Sequence, residues 1–322
     1  MKVSSRHIPM LTAGVILLAL TTLGAVRFEH FATFPNLSNL LSDYSYIGIA
    51  AVGATLVILS GGIDLSVGAV VAFSAVLMAD LVSRGMHPIA AAPICLAAGT
   101  GLGSGMGWLI CRFELPPFLV TLAGMFAIRA SCFLLRDQSG SIDHPFLKEV
   151  NGLNVECAGA SLPFRTFLLL AVVAIGCIVS RSTRFGRNVY AIGGNERSSH
   201  LMGVPVTSTK MRVYALAGVY SALAGVVFAA TTRAGDPSSA IGLELTVIAS
   251  VVIGGTLLSG GIGSIQGTLL GILILGVIRL LIDFQGNLNS AWTSIATGVL
   301  LLGFVCMQKL VEKFGIRAVR LR

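Results

Sequence analysis

The chain has 322 residues, 55% of them hydrophobic and 11% charged, with a net charge of +8 and a mean hydropathy of +0.88. Soluble domains run closer to about 45–50% apolar and about 25% charged, so this composition excludes a disordered chain and argues against a soluble enzyme. No Lys/Arg-rich stretch with interleaved aromatics accompanies the positive charge, so nucleic acid is not its reason.

Lys2 and Arg6 precede an apolar run from Ile8 to Val26. A secretory leader has a shorter apolar region, about 7–15 residues, followed by a small-residue cleavage site. This run is longer and ends in Val26-Arg27-Phe28-Glu29, so an uncleaved first span is expected. Further apolar runs lie at about 45–60, 64–82, 88–111, 115–136, 163–181, 213–231, 243–258, 262–283 and 291–308. A helix that crosses a bilayer needs about 20 apolar residues. The expected fold class is therefore all-α: a polytopic transmembrane bundle of about ten spans, with 1–322 as one domain. The 38 glycines suit helices packed closely in lipid.

Charge placement supplies orientation. Arg181, Arg184, Arg187, Arg197, Lys210 and Arg212 face a single Glu196 in the 181–212 segment. The tail carries Lys309, Lys313, Arg317, Arg320 and Arg322 against Glu312. These segments and the N-terminus are expected in the cytoplasm by the positive-inside rule. The 137–162 loop has Asp137, Asp143, Glu149 and Glu156 against Lys148, and belongs outside. Ten crossings with both termini cytoplasmic satisfy every one of these segments.

Charges within spans are few, and such charges mark pathways, relays or structural pairs. Arg279 and Asp283, four apart, read as a helix-surface pair. Asp64 follows Gly61-Gly62 and could cap the next helix. Asp80 lies near a span end. Arg129 sits roughly 10 Å inside its span, with Asp80 and Glu244 at comparable depth; structural pairing and pathway lining both remain open for it. The largely neutral interior suits a hydroxyl-rich solute better than an ion.

Enzyme signatures are missing. No H-E-x-x-H or G-x-S-x-G occurs, none of the lysines follows a glycine, and a phosphate-binding G-x-x-x-x-G-K-[ST] loop is therefore excluded. The scattered cysteines lack C-x-x-C spacing, and no cofactor or metal site is indicated. Any ATP that powers this chain is hydrolysed by another polypeptide. An ion-coupled secondary transporter of a neutral solute is the alternative, though the acidic relay it would require is not found.

The 181–212 segment holds a second local signal. Asn195 is a good N-cap and Gly203 a good helix stop, so 196–202 should form about two turns, roughly 10 Å long. Leu201 and Met202 give this helix an apolar end, and Glu196 and Arg197 give it charge. Ser208 then offers a cap for the following span. A short capped helix of this kind suits docking to a partner; a plain surface connector is the alternative.

Three stretches resemble the permease subunits of ribose- and xylose-type sugar ABC importers. They are Ile58-Leu59-Ser60-Gly61-Gly62-Ile63-Asp64-Leu65-Ser66-Val67-Gly68, Gly186 through Asn195 continuing over Leu201-Met202-Gly203-Val204, and Ile253 through Gly261 with Gly267-Thr268. Thr121-Leu122-Ala123-Gly124-Met125-Phe126 and Ser259-Gly260-Gly261 are most similar to a galactofuranose importer branch. Ser198-Ser199 and Val204 depart from the usual pattern. The resemblance implies a bacterial inner-membrane permease working with cytoplasmic ABC ATPases, a periplasmic sugar-binding protein and a second, different permease. It also implies that the 181–212 loop couples to the ATPase, through Arg187, Gly193, Gly194, Asn195, Glu196, Arg197, Leu201, Met202 and Gly203.

Overall fold

A computed structural model describes residues 8–157, 160–286 and 291–320. Each of the ten apolar runs contains a helix: α1 (Ile8–Arg27), α3 (Ser45–Leu59), α4 (Val67–Ser83), α5 (Pro88–Arg112), α6 (Pro117–Leu135), α8 (Phe164–Ser182), α11 (Val206–Thr232), α12 (Leu243–Ile253), α13 (Ile265–Gln285) and α14 (Ala291–Arg320). Among the described residues, six helices are long and apolar enough to cross a membrane: α1, α5, α6, α8, α11 and α13. A seventh crossing arises if α2 (Phe34–Asp43) and α3, which meet at 57°, form one bent span. The fold is thus an all-α membrane bundle in which α4, α12 and the apolar part of α14 are shorter than a full span. Glycine turns at Gly61 (φ +82°), between two of the apolar runs, and at Gly255 (φ +92°), inside the 243–258 run, follow the ends of α3 and α12.

The core is built around α3, of which only Tyr46 is not buried. A helix that is apolar on every side and shielded on every side belongs in the middle of the bundle. Its neighbour α11 lies against α5 through small residues on both. A β-carbon on Gly103 would overlap the Tyr214 carbonyl oxygen, and one on Gly218 would overlap that of Gly99. Backbones meet directly here, as expected where helix association rests on close packing rather than on a hydrophobic drive. The Thr55 and Thr268 hydroxyls join α3 to α13 at 2.7 Å.

Two helices lie in the 181–212 segment before α11. They are α9 (Arg184–Gly194), capped by Thr183, whose hydroxyl accepts the Gly186 N–H, and α10 (Glu196–Leu201). At the opposite end the acidic loop folds as β1 (Gly140–Ser141), α7 (Pro145–Gly152), β2 (Asn154–Cys157) and β3 (Ala160–Pro163). There β1 pairs antiparallel with β4 (Ala234–Gly235), and β2 with β3.

Candidate functional site

The three motif stretches, distant in sequence, meet at one end of the bundle. Loop 60–66 leaves α3 through Gly61 and is held in shape by its own polar residues. Asp64 Oδ1 accepts the Ser66 N–H (2.8 Å) and the Ser66 hydroxyl (2.6 Å). Thr121 on α6 accepts the Leu65 N–H at 3.2 Å. Asp64 is buried and orders the approach to α4 through Ser66, its N-cap residue. Asp64 is therefore not itself the helix cap expected from the sequence: Ser66 holds the N-cap position of α4, with no side-chain cap bond there.

Loop 254–264 makes the second wall. Gly255, Gly260, Gly261 and Gly263 all have positive φ, a backbone conformation that side chains disfavour. The Gly261 N–H donates to the Leu59 carbonyl at the end of α3 (3.0 Å).

Helix α9 closes the junction from above. A β-carbon on Gly193 would overlap the Leu59 oxygen and stand 2.5 Å from the Gly261 nitrogen. One on Gly260 would stand 2.8 Å from the Gly61 nitrogen and 3.0 Å from Gly193 Cα. Gly194 differs, for nothing lies within 4 Å of its missing β-carbon. Tyr190 donates its hydroxyl to the Gly263 carbonyl (3.0 Å), bolting α9 to the same loop. Burial raises the Tyr190 pKa above the ordinary phenol value, with nearby Arg181 opposing the shift.

From this base α10 projects. Asn195 caps it by accepting the Ser198 N–H (2.8 Å). It ends in a Schellman arrangement, with Gly203 N–H on His200 O and Val204 N–H on Ser199 O, both 3.0 Å, and Gly203 at φ +80°. Both local expectations hold. Ser208 does not cap the next helix: α11 begins at Val206 after Pro205, and the Ser208 hydroxyl bonds the Pro205 carbonyl. Ser199 is the buried residue of α10, while Leu201 and Met202 stand 80% and 72% exposed at its tip. Lys210 grips both Glu196 carboxylate oxygens at 2.6 Å, tying α10 to α11. Arg187 and Arg197 are exposed and have no acidic partner among the described residues. Sequence reasoning missed Tyr190 and Lys210, because both act on groups far from them along the chain.

The intramembrane charges fall elsewhere. Arg129 pairs with neither Asp80 nor Glu244. Its guanidinium instead donates to the Pro237, Ser239 and Ala240 carbonyls at 3.2, 2.5 and 3.3 Å, clamping the loop that leads into α12. Asp80 pairs with Arg84 at 2.9 Å on its own helix, and Arg279 with Asp283 at 3.8 Å. Asp64, Asp80 and Arg129 therefore form no common site.

Residues 36–305 match the family described as the branched-chain amino acid transport system / permease component. The chain belongs to this permease family. It is similar to the inner membrane ABC transporter permease protein YjfF of Escherichia coli K12, at 45% identity over 94% of this chain and 92% of that one. The fructose import permease FruG of Bifidobacterium longum is 35% identical, over 98% and 94%. The ribose import permease RbsC of Bacillus subtilis is 36% identical, over 85% and 84%. The chain is thus a multi-pass inner-membrane permease of the sugar ABC importer type. A separate subunit supplies the ATPase, and the family implies a substrate-binding partner as well. Membership sets aside the ion-coupled alternative.

Proposed function

We propose that this permease carries a monosaccharide, galactofuranose, into the cytoplasm, and that α10 is its contact with the ATPase. One observation carries the coupling assignment: α10 stands on a backbone junction shared by α9, the end of α3 and the loop before α13. A push on its exposed tip is delivered to buried elements without intervening flexible side chains. In this reading Arg187, Gly193, Gly194, Asn195, Glu196, Arg197, Leu201, Met202 and Gly203 transmit or receive the ATPase's movement; Gly194 takes part through its backbone, since a β-carbon on Gly261 would stand 2.8 Å from Gly194 Cα.

Ten crossings with both termini cytoplasmic remain the topology we propose. Support comes from the two ends of the bundle: the basic 181–212 segment bonds through Tyr190 to the loop before α13 and packs through Gly193 against the end of α3, while the acidic loop pairs with the residues after α11. That division agrees with the positive-inside rule. The galactofuranose assignment rests on Thr121–Phe126 and Ser259-Gly260-Gly261, two of whose residues, Thr121 and Gly261, bond directly to the motif loops. A second, different permease completes the proposed pore. The test is uptake of labelled galactofuranose, ribose and fructose by the complete complex in proteoliposomes. Galactofuranose uptake that depends on ATP and on the sugar-binding protein is expected; ribose or fructose uptake alone refutes the substrate.

A further inference from the structure

Tyr214 on α11 is the bulkiest fully buried side chain among the described residues, at 1% exposure. Its hydroxyl has no hydrogen-bond partner there. Native proteins seldom leave such a group unpaired, because the hydrogen bonds it gave up to water are not replaced. The placement is specific. A β-carbon on Gly62 would overlap this hydroxyl oxygen and stand 3.1 Å from a Val57 methyl carbon. The tyrosine tip is therefore aimed at loop 60–66, and the glycine at position 62 is what admits it. The base of the residue is fixed: a β-carbon on Gly103 of α5 would overlap the Tyr214 carbonyl oxygen, and one on Gly107 would stand 2.9 Å from Tyr214 Cβ.

Asp64, two residues beyond Gly62, has the complementary capacity. It is buried, and its Oδ1 takes both Ser66 donors, while Oδ2 receives no hydrogen bond among the described residues. Of the titratable groups nearby, this carboxylate acts most strongly on the Tyr214 hydroxyl, ahead of Cys111. A buried donor and a buried acceptor thus stand under one glycine loop without meeting. Tyr214 also lies one helical turn beyond Lys210, on the same face of α11. Lys210 is the residue that grips Glu196 of α10. The face of α11 that holds α10 therefore meets loop 60–66 one turn further along.

We infer that Tyr214 is a positioning residue of the transport step: its hydroxyl, unpaired in this state, donates to Asp64 Oδ2 in the other state of the cycle and holds loop 60–66 there. A bond made in only one of two states shifts the balance between them by its own free energy. An ionised acceptor makes that shift about tenfold or more. The inference rests on α10 receiving the ATPase's movement, and it adds a second route, through α11 rather than α9.

The test uses the assembled complex in proteoliposomes, with uptake and ATP hydrolysis measured together. Wild type is compared with Tyr214→Phe, Asp64→Asn, the double variant, and Tyr220→Phe, which alters another buried tyrosine of the same helix. Phenylalanine keeps the ring and removes a group that bonds to nothing here, so Tyr214→Phe should melt at or above the wild-type temperature. Its maximal uptake should fall about tenfold, with no change in the concentration of loaded binding protein that gives half-maximal uptake. Asp64→Asn should lose at least as much, adding Tyr214→Phe to it should cost nothing further, and Tyr220→Phe should match wild type. A 3-fluorotyrosine at position 214 keeps the hydroxyl and reports its bond: the 19F resonance should move between resting and vanadate-trapped complexes. That resonance decides the matter should Asp64→Asn fail to assemble. Wild-type uptake by Tyr214→Phe or by Asp64→Asn, or additive losses in the double variant, would overturn the inference. So would a Tyr214→Phe protein that melts early or fails to fold, or a resonance indifferent to trapping. Gly193→Val, run alongside, separates the two readings: if it uncouples and Tyr214→Phe does not, only the second route falls, and if neither does, the coupling assignment falls with it.

Discussion

Gly193→Val puts the coupling account under the heaviest load. The first added carbon overlaps the Leu59 carbonyl oxygen and approaches the Gly261 nitrogen, and both are backbone atoms that no rotamer change can move aside. Overpacking of this kind costs typically about 1–3 kcal/mol. Prising the elements apart also endangers the Leu59–Gly261 hydrogen bond, with a net contribution of about 0.5–1.5 kcal/mol. A combined strain of about 1.5–4.5 kcal/mol is relieved by lifting α9 off the junction. At about 1.4 kcal/mol per decade, that lowers the seated population by about 10- to 1,600-fold. The assay is sugar taken up per ATP hydrolysed, by the assembled complex in proteoliposomes. The expected result is ATP hydrolysis with little uptake, from a protein that still inserts and assembles. Gly194→Ala is the control one residue away: with open space around it, it should behave as wild type. Wild-type uptake per ATP in Gly193→Val would refute the reasoning, as would equal damage from the two substitutions.

Other outcomes follow from the same geometry. Gly203→Val forces a branched side chain to φ +80° and breaks the helix stop, at about 1–2 kcal/mol for the left-handed backbone; uptake per ATP should fall while membrane levels hold. Asn195→Pro removes both the cap and the Asn195 N–H bond to Ala191 O, and demands a φ far from the observed −164°; the same uncoupling is expected. Arg129→Ala leaves three loop carbonyls without their charged donor. Hydrogen bonds to charged groups contribute about 1.5–3 kcal/mol each way they are lost, so the melting temperature in detergent should drop measurably, with Arg129→Lys recovering only part of it. Gly218→Leu must separate α11 from α5, and poor expression or early melting is expected; a stable, well-folded Gly218→Leu would contradict the close packing.

The elements that sequence reveals here are those governed by local physics. Apolar runs mark α1, α5, α6, α8 and α13 because lipid demands uninterrupted apolar length. The cap at Asn195 and the stop at Gly203 are visible because each bonds within about four residues. Hydropathy fails where a helix leaves the apolar zone. It starts α11 at about 213, whereas the polar residues from Val206 to Arg212 continue the same helix outward. It also misses α2, α7 and α9, which are short and not uniformly apolar. Long-range partners are hidden altogether. Arg129 at its depth suggested a carboxylate, but three carbonyls of a loop over a hundred residues away satisfy it. His87 and His144, dispersed in sequence, meet edge to face with ring centroids 4.9 Å apart while each caps its own helix. The glycine stretches were visible as motifs, yet nothing local to any of them says that they touch.

The most direct measurement of the central claim is proximity of α10 to the ATPase. A photoreactive residue in place of Leu201, at the exposed tip, is activated in the assembled complex, beside the same residue in place of Leu153 at the opposite end, which is 57% exposed. The account predicts a cross-link to the ATPase subunit from position 201 and none from position 153. A complex active in uptake that gives no ATPase cross-link from 201, or gives one from 153, would contradict it.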